Sequence, residues 1–452
     1  MRNIKGLAFN ILLLANSFEV IPMITLSETL KAEARSLRWP LWKRSKVPPA
    51  VTSLNLFMFV KYITDQIVYN AILMKTLLVS TYVPQKCGIA TYTRDLIQAV
   101  VGYNSNITPH VVAIINGKDS NYPPEVKFKL EKNSRDDYIK LADRVNSSSY
   151  AYVCIQHEYG IFGGNDGDYI LDFAKKLKKP LITTFHTTLL EPSPNQKHVL
   201  KELARLSQSN IVMIKEARAR LRSVYNIPSR KIKVIHHGVP DLELEDNTQA
   251  KERLGFRADD FLVGTINLIS RNKGLEYVID AVKKVSMDIP KLKFVMVGAT
   301  HPQVKRAEGE SYREFLLKRA FDLNLNGQFK QVNEYVPLNS LVDYLKALDV
   351  YITPYTDLDQ TSSGTLAYAV GAGKICISTP YIYANEILSD GRGFIVPRRD
   401  SDAIAEKLIQ TYTNLTERKK MQERAYKFGR KMIWSQVAAK HIQIFKDAKT
   451  KT

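Results

Sequence analysis

One segment decides how this chain is interpreted: Tyr351–Gly373, with the sequence YITPYTDLDQTSSGTLAYAVGAG. Its pattern predicts a buried strand, a loop containing Ser-Ser-Gly and then a helix. Ser362 and Ser363 are good N-cap residues, and Gly364 lets a ligand approach the backbone closely. The N-terminus of a helix carries free N–H groups and a partial positive charge, so this helix end suits a phosphate.

The chain on both sides of this segment alternates short apolar strands with helical stretches. Strand patterns such as Leu77–Thr81 and Leu181–Phe185 precede a polar, acidic stretch, and patterns such as Phe261–Ile266 and Val350–Thr353 follow it. This alternation predicts a parallel, doubly wound sheet in each half. We therefore expect an α/β fold of two doubly wound, Rossmann-like domains that face a cleft, with ligands at the carboxyl ends of both sheets.

The domain boundaries follow from the same pattern. Residues 74–240 form the first predicted domain, 241–253 a linker and 254–434 the second domain. The last helix of the second domain is a candidate for crossing back to the first domain. Residues 435–452 are predicted to be a basic tail.

The first 73 residues differ from the rest. The apolar run Gly6–Ala15 superficially resembles a signal peptide, whereas charged residues interrupt Leu54–Leu73, which is therefore not predicted to span a membrane. A buried-strand pattern, Thr76–Thr81, begins just after Met74 and Lys75. We expect the functional chain to begin at Met74 and residues 1–73 to be an upstream extension, with a targeting segment as the alternative.

Charge and cysteine content limit the function classes. The formal net charge of +20 suits phosphorylated ligands or an anionic membrane face, and a generally basic, solvated surface is the alternative. No stripe of basic and aromatic residues carries a nucleic-acid-binding signature, so no nucleic-acid partner is expected. The three scattered cysteines form no metal-ligand spacing and no disulfide framework, which fits a reducing compartment such as the cytoplasm.

Other predicted strands also end in polar residues or glycine. Gly88 allows a tight turn after the first strand, and His157 and His186 follow two neighbouring strands. A buried structural histidine is the alternative for His186. Neither histidine has metal-ligand spacing, so no metal site is expected.

A basic turn opens the second domain. Arg271 and Lys273 follow its first predicted strand and can project into the cleft. Two cations at this place would neutralise a diphosphate and stabilise it as a leaving group. An ordinary solvated turn is the alternative.

Six segments in this order resemble the retaining glycosyltransferases of the GT-B type, family 4, and most closely a mannosyltransferase-like subgroup. The resemblance runs from about Met74 to Trp434. It rests on the segments KCGIATYTRDL, QHEYGIFGG, TTFHTTLLEPSP, KIKVIHHGVPD, SRNKGLEYVIDAV and SSGTLAYAVGAGK.

The resemblance implies that the second domain binds a nucleoside-diphosphate sugar and that the first binds the acceptor. His186 matches a histidine beside the donor sugar and the reaction centre, and Lys273 matches a lysine that contacts the diphosphate. Gly88 matches a glycine loop near the diphosphate. The stretch that meets the phosphates is matched by Ser362, Ser363, Gly364 and Thr365.

The chain departs from the family pattern at three positions. Arg271 lies near the family's arginine, which the simplest alignment places at Leu268. Gln360 and Tyr368 stand where the family commonly has two glutamates, the first near the sugar and the second near the ribose. Gln360 can bond sugar hydroxyls without charge, and Tyr368 offers one hydroxyl. Asp357 or Asp359 could supply a carboxylate instead.

The resemblance implies an enzyme of polysaccharide biosynthesis that transfers a hexose, expected to be mannose from GDP-mannose, to a saccharide or lipid-linked acceptor. It implies retention of the anomeric configuration and no essential cofactor. A nucleotide-sugar epimerase, a sugar phosphorylase and a non-catalytic nucleotide-sugar binder remain alternatives.

Two basic clusters in the first domain suggest a membrane contact. Lys215, Arg218 and Arg222 fall at helical spacing, and Lys175–Lys179 forms a second cluster. Such faces could rest on anionic headgroups, which would place the protein on the inner, cytoplasmic face of a membrane. Ordinary solvated helix faces are the alternative.

Overall fold

The computed structural model describes residues 74–117 and 121–449. The predicted upstream extension, 1–73, lies outside the described residues, as do 450–452.

The first domain is built on a seven-stranded parallel sheet with the order β3-β2-β1-β4-β5-β6-β7. All residues of the central strands β4 and β5 are buried, because helices cover both faces of a parallel sheet. The strands are β1 (Met74–Ser80), β2 (Ile107–Ile115), β3 (Val126–Glu131), β4 (Tyr152–His157), β5 (Leu181–Phe185), β6 (Ser209–Val212) and β7 (Ile232–Val234). The helices are α1 (Gly88–Tyr103), α2 (Arg135–Asn146), α3 (Ile170–Lys176), α4 (Pro194–Leu206) and α5 (Lys215–Ser223).

The second domain repeats this plan with a six-stranded parallel sheet, in the order β10-β9-β8-β11-β12-β13. Its strands are β8 (Phe261–Ile266), β9 (Leu292–Val297), β10 (Phe329–Val332), β11 (Val350–Thr353), β12 (Ile375–Ser378) and β13 (Phe394–Ile395). Its helices are α6 (Thr248–Arg253), α7 (Leu275–Val285), α8 (Pro302–Glu308), α9 (Ser311–Asp322), α10 (Leu338–Ala347), α11 (Gly364–Gly371), α12 (Ile382–Ile387), α13 (Ser401–Thr413) and α14 (Leu415–Gly429). The prediction of two doubly wound α/β domains is confirmed.

The chain returns to the first domain after α14. Helix α14 packs on α11, and a final helix, α15 (Trp434–Lys449), packs on α1. The Trp434 ring lies so close to Gly238 that a Cβ there would come within 2.2 Å of it. The region predicted as a basic tail thus contains a helix whose apolar residues, including Val437 and Phe445, are buried.

A buried charge network lies at the amino ends of β8 and β11, on the side of the sheet away from the cleft. Asp349, which directly precedes β11, accepts hydrogen bonds from the backbone N–H of Leu262 and from Asn247, and it pairs with Lys251 and Arg418. The side chains of Asp349 and Lys251 are each only 4% exposed. Asp349 therefore balances two positive charges inside the second domain.

None of the helices in the described part of the chain is both long enough and apolar enough to cross a membrane.

Candidate functional site

The carboxyl ends of the two sheets meet where the first domain faces the second. Helix α1 begins at Gly88, and the hydroxyl of Thr91 in its first turn lies 3.0 Å from the hydroxyl of Tyr335 in the second domain. A Cβ built on Gly88 would meet no atom of the described residues within 4 Å. The turn at Gly88 therefore lies beside the domain boundary and leaves open space next to its backbone.

Helix α11 starts at the same boundary with uncapped N–H groups. Ser363 is its N-cap residue, but the Ser363 side chain makes no capping hydrogen bond within the described residues. Its hydroxyl instead lies beside the Tyr381 hydroxyl, and the Thr365 side chain lies beside the Tyr351 hydroxyl. The first-turn N–H groups therefore remain available to an anion.

Gly364, the first residue of α11, is closely approached by the first domain. A Cβ at Gly364 would lie 3.0 Å from Nε2 of His237, which is tighter than an ordinary contact. The backbone carbonyl of the preceding Ser362 accepts a hydrogen bond of 2.7 Å from the Gln360 side chain. Gln360 thus shapes the loop that leads into the helix.

Lys273 is connected to this helix end through two stacked tyrosine rings. Its ammonium group sits 3.8 Å from the centre of the Tyr355 ring, and Tyr355 stacks on Tyr381, whose hydroxyl lies beside Ser363. Lys273 forms no ion pair within the described residues. Its ammonium group therefore lies over one aromatic ring and is not neutralised by a carboxylate of the described residues.

The turn that carries Lys273 is fixed by a glycine. Gly274 has a φ of 61°, and a Cβ there would lie 2.3 Å from the carbonyl oxygen of Pro354. The backbone N–H of Thr356 also donates to the carbonyl of Asn272. These contacts bind the Lys273 turn to the loop after β11, which leads to α11.

Arg271 points to another partner. Its Nε lies 3.1 Å from Glu308 on α8, its guanidinium lies over the Tyr312 ring, and its side chain is 60% exposed. The charge of Arg271 is therefore already paired with Glu308, whereas Lys273 has no carboxylate partner among the described residues.

His186 is held at the end of β5 by contacts from both domains. Its Nε2 lies 2.9 Å from the amide oxygen of Gln156, and its carbonyl accepts a hydrogen bond from Thr361 of the second domain. Burial, with smaller effects of His237 and His157, lowers the pKa of His186 to about 3. The neutral ring donates from Nε2 to Gln156 and leaves Nδ1 as a hydrogen-bond acceptor.

Tyr368 is engaged in a contact between the domains. Its hydroxyl donates to Oδ2 of Asp95 on α1 at 3.0 Å, and its ring packs against His237. Both Tyr368 and Asp95 are at most 5% exposed. Burial raises the pKa of Asp95, although its ion pair with Arg94 and the Tyr368 hydroxyl act in the opposite direction. The described geometry therefore assigns the Tyr368 hydroxyl to Asp95.

Two further contacts fasten the domains together. Arg220 on α5 bonds the carbonyl of Thr188 and reaches Asp359 at 3.3 Å. Glu386 on α12 accepts hydrogen bonds from the backbone N–H groups of Lys215 and Glu216 at the start of α5. Asp359, considered above as a substitute carboxylate, thus already has a cationic partner.

His157 lies in the core of the first domain. It is fully buried among Tyr159, Phe162 and Phe185, and neither ring nitrogen has a hydrogen-bond partner within the described residues. Burial lowers the pKa of His157 to about 3. The two histidines that end neighbouring strands therefore differ, since only His186 contacts the second domain.

The burial of the neutral His157 ring predicts that the protein loses stability in acid. The unfolded His157 ring binds a proton below pH of about 6.5, whereas the buried ring stays neutral down to a pH of about 3. The unfolded state therefore binds more protons than the folded state. As the pH falls from roughly 6 to 4, His157 lowers the free energy of unfolding by about 1.4 kcal/mol for each pH unit. Because His186 has a similarly lowered pKa and adds its own contribution, we expect His157→Phe to make the pH dependence measured in urea titrations shallower by the share of His157 alone. Equal slopes for the variant and the wild type would contradict the prediction.

Sequence reasoning missed His237, Tyr92 and Asp95. The ring of Tyr92 on α1 lies 5.0 Å from the rings of both His186 and His237. Asp95 and Tyr92 lie on the buried face of α1, and the sequence pattern of this face is that of an ordinary helix packed on a sheet. The His-His-Gly segment after β7 was the one available signal for His237.

Among the described residues, no group of three or more His, Cys, Asp or Glu side chains is arranged to hold a metal ion.

Two protein families match consecutive parts of the chain. Residues 88–241 match the family described as Glycosyltransferase Family 4, and residues 246–428 match Glycosyl transferases group 1. An uncharacterized glycosyltransferase of Methanocaldococcus jannaschii is 20% identical over 293 residues, which cover 60% of this chain and 70% of that protein. The alpha-monoglucosyldiacylglycerol synthase of Streptococcus pneumoniae is 24% identical over 371 residues, 74% of this chain and 78% of that protein.

Solved structures share the fold. Anabaena HepE, determined in complex with UDP and glucose, has a TM-score of 0.65 at 15% identity, over 83% of this chain and 100% of that chain. The sucrose-phosphate synthase of Thermosynechococcus elongatus has a TM-score of 0.70 at 15% identity, over 84% of this chain and 100% of that chain. At this identity the likeness concerns the arrangement of the two domains.

Proposed function

Because the chain is a glycosyltransferase of the GT-B type, we propose that it transfers a hexose from a nucleotide sugar to a saccharide or lipid-linked acceptor with retention of the anomeric configuration. The observation that carries the proposal is the position of Lys273 on the Tyr355–Tyr381 stack, whose Tyr381 hydroxyl borders the uncapped N-terminus of α11. A cation and a set of free backbone N–H groups form a site for a diphosphate. The uncharged acceptor Nδ1 of His186, on the opposite domain, suits a sugar hydroxyl.

The contacts of the nearby carboxylates favour a same-face reaction. Glu158, which lies beside the His186 loop, accepts hydrogen bonds from Thr187 and from the backbone of Tyr159, and Asp359 is paired with Arg220. A double inversion needs a free nucleophile at the anomeric carbon, whereas the same-face route needs none. In that route the bond between the diphosphate oxygen and the anomeric carbon breaks, and the acceptor oxygen forms a bond to the same face of that carbon. The leaving diphosphate takes the proton of the acceptor hydroxyl. Lys273 and α11 would stabilise the charge on the diphosphate.

The donor proposal has two candidates. The subgroup resemblance favours GDP-mannose, whereas a solved structure of similar fold was determined with UDP-glucose and others with UDP. Titration calorimetry of the full chain with UDP-glucose, GDP-mannose, UDP and GDP would rank them. The better donor is then incubated with candidate acceptors, and the anomeric configuration of the product is determined by NMR.

The same assay separates the alternatives. Conversion of the donor without an acceptor would indicate an epimerase, and a requirement for free phosphate would indicate a phosphorylase. Binding of a donor without any turnover would indicate a nucleotide-sugar binder. An inverted product would refute the retaining mechanism alone.

A lipid-linked acceptor at the cytoplasmic face of a membrane is the acceptor that we favour. The pneumococcal relative is named for a glycolipid product, and Lys215, Arg218 and Arg222 are exposed on α5. The second basic cluster supports this less, because Lys176 pairs with Asp143 and Lys179 bonds the carbonyl of Ser148. Co-sedimentation with anionic vesicles at low salt tests the contact, and a protein that stays in the supernatant would refute it.

A further inference from the structure

Three buried hydroxyls at the boundary between the domains lack a partner. Tyr92 on α1, Thr188 after β5 and Tyr383 on α12 are at most 2% exposed, and none of their hydroxyl oxygens has a hydrogen-bond partner within the described residues. Buried polar side chains in folded proteins are nearly always hydrogen-bonded, because an unsatisfied buried polar group destabilises the folded state. Three hydroxyls with unused hydrogen-bonding capacity therefore come from residues at this boundary.

The backbone contacts of these residues bring them to one place. Thr188 follows His186 by two residues, and its N–H donates to the Thr361 hydroxyl at 3.2 Å. The N–H of Tyr383 donates to the carbonyl of Gln360, the residue before Thr361. All of these residues border the junction between the His186 loop and the Gln360 loop.

Tyr92 has the best-defined position of the three. Its ring makes edge contacts with His186 and His237 at 5.0 Å and lies 5.5 Å from the Trp434 ring. These three rings hold the phenol in one orientation between the two histidines. Burial raises the pKa of Tyr383, and Tyr381, Glu386 and Tyr92 add smaller effects in the same direction. The orphan hydroxyls of Tyr92 and Tyr383 thus come from opposite domains.

The chemistry of these groups distinguishes a sugar from a phosphate. A hydroxyl carries no charge and both donates and accepts a hydrogen bond, as the hydroxyls of a hexose do. A phosphate is better served by Lys273 and the N–H groups of α11, which lie at the neighbouring part of the boundary.

We propose that Tyr92, Thr188 and Tyr383 bind hydroxyls of the transferred hexose and thereby determine which sugar the protein accepts. This inference rests on the proposed function and extends it to the specificity of the same site. It assigns the sugar to neutral hydroxyls contributed by both domains, so the complete sugar site exists when the domains are in contact.

The test compares Tyr92→Phe with the wild type by calorimetry, using UDP-glucose, GDP-mannose and the corresponding free diphosphates. Because the hydroxyl of Tyr92 has no partner in the described residues, its removal leaves the ring packing intact. We expect the Kd of the preferred sugar donor to rise about tenfold, with the Kd of UDP or GDP unchanged. We expect kcat/KM to fall by a similar factor, and the midpoint of thermal unfolding of the ligand-free protein to rise by about 2 °C.

Tyr152→Phe is the matched control. The Tyr152 hydroxyl is also buried, but it lies beside Thr76, and its ring stacks on Phe445 at the α15 side of the first sheet. Its loss should leave donor binding unchanged. Tyr383→Phe provides a second variant on the opposite domain and should reproduce the selective loss of sugar binding.

The outcomes separate the two proposals. If the wild type binds the sugar donor more tightly than the free diphosphate and Tyr92→Phe and Tyr383→Phe keep that difference, the hydroxyl assignment is refuted and the proposed function stands. If the wild type binds neither donor, the proposed function fails and the assignment fails with it. Equal losses of sugar-donor and free-diphosphate binding in Tyr92→Phe would also refute a sugar-specific role.

Discussion

Lys273→Ala is expected to lower turnover about a hundredfold, equivalent to about 3 kcal/mol of transition-state stabilisation, without unfolding the protein. The ammonium group lies over the Tyr355 ring of the Tyr355–Tyr381 stack, and no carboxylate neutralises it within the described residues. A leaving diphosphate develops negative charge as its bond to the sugar breaks, so an unpaired cation acts most strongly in the transition state. Removing it breaks no internal ion pair, which is why folding should be preserved.

Initial rates with a saturating donor, together with circular dichroism, measure this effect. Lys284→Ala is the matched control, because Lys284 pairs with the exposed Asp402 on the surface of the same domain and its loss should change the rate little. Lys273→Arg should recover part of the activity, since it keeps the charge in a different shape. Wild-type turnover in a folded Lys273→Ala protein would refute the assignment of Lys273 to the diphosphate.

Asp349→Ala is expected to lower the free energy of unfolding by about 3–5 kcal/mol. Asp349 accepts hydrogen bonds from Leu262 N–H and Asn247 and balances Lys251 and Arg418. Its removal would leave the ammonium group of Lys251, whose side chain is 4% exposed, without its buried counter-ion. A buried and unpaired charge is among the most costly defects a domain can carry.

Urea unfolding of the wild type and the variant tests this prediction. Asp402→Ala removes a carboxylate whose side chain is 84% exposed and should change stability by less than about 1 kcal/mol. An Asp349→Ala protein with the urea midpoint of the wild type would show that the network does not hold the second domain together. Donor binding to the folded Asp349→Ala protein should persist, because Asp349 lies at the opposite end of β11 from the site.

The site could be predicted only in part. The loop before Gly364 and the position of Lys273 follow local patterns, and the structure brings these two segments together through Tyr355 and Tyr381. The role of Arg271 could not be judged from the sequence, because its partner Glu308 is 37 residues away. The catalytic and binding roles of Lys273 and His186 stay predictions until such variants are measured.

Tyr368 shows why the rest of the site could not be predicted from the sequence. Its place in the chain suggests a nucleotide contact, yet its hydroxyl bonds Asp95, 273 residues earlier. No local pattern in the sequence marks either residue as the partner of the other. Contacts between residues so far apart in the sequence depend on how the two domains pack and on the return of α15 to the first domain.

The sequence by itself determined the fold class and the division of the chain into two successive domains. Buried parallel strands need continuous apolar residues and helices need one apolar face, and both requirements are local and repeat along the chain. The tertiary structure alone decided which polar groups meet at the boundary between the domains. Tyr92, Thr188 and Tyr383 are unremarkable in the sequence, and they form a candidate sugar site because folding buries their hydroxyls together without partners. The physical reason is that hydrogen-bond satisfaction depends on neighbours in space, which the pattern along the chain does not specify.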